Sequence, residues 1–132
     1  MLTLKLLLAT GLIIAQGYAC RYDEGEMRRV ARKRGYSLVG YQGAVALRDP
    51  AWMGKSVWLK LPDGTVYGPL RCVDHLNHLH TPYGADRWAV DVDFVTWRRL
   101  FGFRQAPFPD VTVIWHWRSP YIPGWSGITE HH

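Results

Sequence analysis

Apolar and polar residues alternate with period two over most of the chain from Tyr36 onward, and one helical spacing interrupts them. Ser37–Leu47 reads as a strand broken by Gly40 and Gly43, where bends or bulges are expected. Lys55–Leu61 sets Val57, Leu59 and Leu61 on one face and Trp58 and Lys60 on the other. Pro62-Asp63-Gly64 is a turn signal, so Thr65–Asp74 is expected to return as the partner strand. Arg87–Asp93 places Trp88, Val90 and Val92 on one face, with Arg87, Ala89, Asp91 and Asp93 opposite. Val111–Trp117 is the last strand. Between these two, Phe94, Trp97, Leu100 and Phe101 recur at near-helical spacing, with Asp93 as N-cap and Gly102 as the stop.

The first residues follow another pattern. Lys5 precedes an apolar run, Leu6 to Ala15, and small residues stand at Gly17 and Ala19. That is the layout of a secretory signal cleaved after Ala19, and the run is short for a membrane span. Cys20 then resembles the acylated cysteine of bacterial lipoproteins, although Gly17 stands where such signals carry Leu. A Cys20–Cys72 disulfide is the competing fate, and a buried, unreacted Cys72 a third. Arg21–Gly35 has acids first and bases last, which suits a short helix or a charged tether ended by Gly35. The expected division is 1–19 signal, 20–35 tether or short helix, 36–118 β domain and 119–132 irregular tail.

Composition sharpens this. With 132 residues there is room for one domain, and 48% hydrophobic content argues against disorder. Thirteen Gly and eight Pro imply many turns and favour β structure over a bundle. A formal charge of +5 suits nucleic acid, anionic lipid or an acidic polymer. The RRVARKR run reads as a solvated helix face. No nucleic-acid motif is present, and export conflicts with a nucleic-acid partner. A membrane enters only through lipid at Cys20.

Chemistry concentrates between Leu70 and Gly102. Asp74 and Asp91 each lie near the end of an apolar run, separated by a loop bearing His75, His78, His80 and Tyr83. Paired carboxylates on rigid elements are what glycosidic-bond cleavage requires. Asp93 is accounted for as a cap, whereas Asp91 has no structural reason in the pattern. Tyr41, His75, Tyr83 and Trp88 are candidate sugar contacts. Asp74 with His75, His78 and His80 offers nitrogen and oxygen ligands for zinc, without the usual closed four-ligand spacing. No cofactor is implied.

Strand, hairpin, loop, strand, short helix and final strand, read through RCVDHL, RWAVDVDFVTWRRLFG and PDVTVIW, resembles the small six-stranded double-psi β-barrel of RlpA-like and expansin-like domains. Ala89-Val90-Asp91-Val92-Asp93 fits the family's apolar-apolar-Asp-apolar-Ser segment, with Asp93 in place of the Ser. The resemblance implies work on peptidoglycan or another wall polysaccharide. By position, Asp91 matches the family's functional Asp, and Asp74 a second acid at the groove. RlpA-like lytic transglycosylases would use Asp91 as general acid and Asp74 as its partner. A module that binds glycan without cleaving it, or that scaffolds an envelope or extracellular assembly, is the other expectation and the preferred one. The family's early Ser-Trp-Tyr-Gly segment is replaced by VGYQGAVAL, and its Asn-Asp-Arg-Gly turn by Val73-Asp74-His75-Leu76, both where an active groove would be lined.

Overall fold

The computed structural model describes residues 11–76, 84–103 and 107–117. Six strands, β1 (Leu12–Arg21), β2 (Gly43–Leu47), β3 (Ser56–Lys60), β4 (Val66–His75), β5 (Trp88–Val92) and β6 (Asp110–Trp115), close a barrel in the order β1-β5-β2-β4-β3-β6. The β1/β5 and β2/β4 pairs are parallel and the other four antiparallel. Exchanging β1, β2 and β3 with β4, β5 and β6 leaves every pairing unchanged, so the connectivity has a pseudo-two-fold. The small six-stranded β-barrel implied by the resemblance is present. Closure leaves no unpaired strand edge.

Period two fills the interior. Val45 and Leu47, Val57 and Leu59, Val90 and Val92, and Val111 and Val113 meet there with Cys72, Leu70 and Ala19. The hairpin at Pro62-Asp63-Gly64 forms as expected. Asp63 accepts from the Thr65 amide at 3.0 Å and its hydroxyl at 2.8 Å, and these bonds hold its carboxyl below the usual range.

Two helices pack outside. Helix α1 (Glu26–Arg34) ends at Gly35, which sits at φ 80° as an L residue rarely does. It buries Met27 and Ala31 on Ala44, Ala46 and Val73 of β2 and β4. The charged segment is thus part of the folded body. Helix α2 (Phe94–Phe101) is capped by Asp93 and sends Trp97 into the core.

Three elements differ from the sequence pattern. Residues 36–42 are not strand, and β2 begins only at Gly43. At Gly43 a Cβ would collide with Thr96 Oγ1 and Asp93 Oδ2. The face assignment in β5 is also corrected, because the register steps from Tyr18↔Trp88 to Ala19↔Val90 and leaves Ala89 unpaired. That bulge shifts the alternation, so Trp88 shares a side with Asp91 rather than with Val90 and Val92.

The third difference is the largest. Residues read as the end of an export signal form β1, paired on both sides with β5 and β6. The barrel therefore starts well before Tyr36. An apolar run with small residues satisfies a signal and a buried strand equally. Cleavage after Ala19 would remove Leu12–Ala19 from the strand.

Candidate functional site

Register brings the two acids into one row. Cys20 of β1 lies opposite Asp91 of β5, Asp91 opposite Ala46 of β2, and Ala46 opposite Asp74 of β4. Cross-strand partners share a face, so Asp91 and Asp74 flank the small Ala46, with Cα atoms about 10 Å apart across two strand spacings. The row faces outward beneath α1, as Ala46 does.

Each acid is already engaged. Asp91 is 2% exposed and accepts from the Trp88 indole N–H at 2.8 Å. Asp74 is 7% exposed. It accepts from Tyr22 Oη at 2.7 Å, from Arg34 Nη2 at 2.9 Å and from the His75 amide at 2.9 Å. Arg34 comes from the last turn of α1, so the helix carries Asp74's counter-charge with it. Burial, the hydrogen bond to Asp74 and the charges of both Asp74 and Asp91 push the Tyr22 phenol above its ordinary range.

Cys20 is the fourth member of the row. Burial first, then the Asp91 charge, pushes its thiol from 9.0 up to about 12, and burial raises Cys72 to about 11. The two thiols are free and lie on β1 and β4, with β5 and β2 between them. They stand on opposite walls of the closed barrel, with Cys72 packed in the interior and Cys20 in the outward row, so their sulfurs cannot meet at the roughly 2 Å of a disulfide. The Cys20–Cys72 bridge is thereby excluded in this fold. Acylation at Cys20 would need it as the first residue, and so a chain without Leu12–Ala19 of β1.

One consequence is measurable. An unfolded thiol titrates near 9.0, so from there upward the folded chain holds protons the unfolded chain has lost. Stability is therefore expected to fall as pH rises between about 9 and 12, and less so in Cys20→Ser, followed by urea midpoints. At pH 8, Cys20 should react with a thiol reagent more than about tenfold slower than a free cysteine.

The other candidates separate. Tyr41 shares a 2.9 Å hydrogen bond with Ser56, and the Arg71 guanidinium lies 5.6 Å from its ring centre. Arg71 also stacks on Tyr36 and donates to the Ser37 and Gly54 carbonyls, so Tyr41 helps pin the 36–42 loop and does not join the acids. His75 bonds Asp74 through its backbone, with an exposed side chain. Tyr83, His78 and His80 lie outside the described residues. Among the described residues no group of three His, Cys, Asp or Glu is placed to hold a metal ion.

Trp88 is buried, 4% exposed, and connects the acid row to the wall of a cleft. It lines a cleft of about 270 Å³ with Trp52, Arg48, Asp49, Leu47, Ile14 and Gln16. Arg48 lies over the Trp88 ring at 5.7 Å, and Trp52 is braced edge-on by Trp115 at 5.0 Å. Trp52, Arg48 and Tyr22 were not singled out from the sequence. Tyr22 extends the Tyr18-Cys20 alternation and could have been found once β1 was recognised. No local pattern points to Trp52 or Arg48, because the fold alone brings them to Trp88.

No family model matches the chain, and neither curated proteins nor solved structures give a match. The site rests on its own geometry.

Proposed function

We propose that this protein is a glycan-binding module of RlpA-like type that holds wall or extracellular polysaccharide without cleaving it. The observation that carries this is the Trp52–Trp88 cleft. The half-buried Trp52 indole offers an apolar face to a sugar ring, Trp88, 4% exposed beneath Arg48, forms the wall behind it, and Arg48, Asp49 and Gln16 supply planar groups for hydroxyls. Asp91 acts behind the cleft by fixing the Trp88 ring through its indole N–H. Asp74 is committed to Arg34 and Tyr22, which favours a structural role over activation of water.

Binding is tested by sedimentation with insoluble peptidoglycan. Trp52→Ala and Arg48→Ala are each expected to weaken it about tenfold, as loss of an interface anchor does. Arg48 is exposed, so its variant should keep the unfolding transition, whereas Trp52 packs on the core and Trp115, so Trp52→Ala is compared at a temperature where its own unfolding curve shows it folded. Unchanged binding in both variants would remove the cleft from the account.

Cleavage by Asp91 as general acid is the second reading, and one feature favours it: Asp91 and Asp74 stand on one face about 10 Å apart. The acid would have to deliver its proton to the glycosidic oxygen from a position 2% exposed beneath a helix and a tryptophan. Binding without cleavage is the reading that this burial supports.

A further inference from the structure

A second and larger trough, about 510 Å³, lies on the outer face of β3, β6 and β1 and contains neither acid of the row. Its floor is built by register. Lys60 of β3 stands opposite Thr112 of β6, and Thr112 opposite Gln16 of β1. Gly17 continues the floor, and a Cβ there would run into the Arg87 carbonyl oxygen. Asp110 lies two residues before Thr112 on the same face, and Asp86 and Arg87 form the far wall.

Four charged side chains therefore line one trough: Lys60, Arg87, Asp86 and Asp110. None has a hydrogen bond or ion pair with a partner among the described residues. Cation and anion stand at intervals along a neutral floor of amide and hydroxyl. An uncharged sugar chain can hydrogen-bond to such a surface but leaves its charges without counter-charges. A ligand bearing both a free amine and a carboxylate can pair with each sign in turn. From β3 to the turn before β5 is three strand spacings, about 14 Å, the reach of an extended peptide of about four residues.

Gln16 lines this trough and the Trp52–Trp88 cleft alike, so the two sites adjoin across β1. We infer that the trough binds a short zwitterionic peptide carried on the glycan held in the neighbouring cleft. The inference rests on the glycan reading and narrows it: the ligand is a peptide-bearing glycan.

The test compares sedimentation of the full chain with intact peptidoglycan and with the same material stripped of its peptides by an amidase. Intact material is expected to bind about tenfold more tightly, and this preference should shrink as salt rises. A Lys60→Ala, Asp110→Asn double variant should lose the preference while binding stripped glycan as the unchanged chain does. Both residues are exposed, and an unchanged unfolding midpoint confirms that the barrel is intact. Equal binding to intact and stripped material overturns the trough and leaves the glycan reading standing. Binding to neither overturns both. A preference that survives in the double variant also overturns the trough, since the peptide is then recognised elsewhere.

Discussion

A chain that starts at Cys20 is expected to lose its cooperative unfolding transition. It lacks Leu12–Ala19, and with them the pairings of β1 to β6 and half of those to β5. Ala19, fully buried in the barrel, and Tyr18, 3% exposed, go too. Opening a closed barrel exposes the edges of β5 and β6 and floods the interior between them. Such a loss is comparable with the whole stability of a domain this size, about 5–15 kcal/mol. A chain that starts at Gly11 keeps all of β1 and is the matched control. Thermal unfolding followed by circular dichroism decides it, because a sharp transition in the shorter chain would show that β1 is dispensable.

Asp93→Ala is expected to destabilise the protein by about 3 kcal/mol or more, the largest effect of any single substitution considered. Asp93 is 2% exposed and does more than cap a helix. Its Oδ1 accepts from the Thr96 amide at 2.9 Å. Its Oδ2 accepts from the Thr96 hydroxyl at 2.7 Å and from the Ala44 amide of β2 at 2.8 Å. Arg28 of α1 approaches to 3.9 Å. Truncation strands two buried amides and a hydroxyl, and loosens α2 from β2 at the point where Gly43 makes room for the carboxylate. Asp93→Ser restores the helix cap alone and should recover only part of the loss. A urea titration showing Asp93→Ala within about 0.5 kcal/mol of the unchanged chain would contradict this assignment.

Asp93 also shows how far the sequence could be read. Its cap follows from the local pattern of Asp, a helical apolar spacing and a closing Gly. The Ala44 bond spans 49 positions and follows only from closure of the barrel. The β3–β4 hairpin, the termination of α1 at Gly35 and the interior face of β3 were legible for the same local reason. β1 was not, because the run Leu6–Ala15 with Gly17 and Ala19 satisfies an export signal as well as a strand. What separates the two uses is pairing with residues about 70 to 100 positions away, which no window of sequence contains. The face of Trp88 was misassigned because a bulge at Ala89 leaves no mark in an alternating pattern. Asp91 and Asp74 were found as a pair, yet Tyr22 and Arg34, which hold Asp74 in place, enter only through the packing of α1.

The central claim is that the barrel holds glycan and that Asp91 orients Trp88 rather than donating a proton to a glycosidic oxygen. Asp91→Asn keeps an oxygen to accept the indole N–H and removes the acid. Incubation of both chains with peptidoglycan, with the pellet assayed for protein and the supernatant for soluble fragments, tests this directly. Both chains should pellet alike and release no fragments. Soluble fragments released by the unchanged chain and absent with Asp91→Asn would contradict the claim and make Asp91 the catalytic acid.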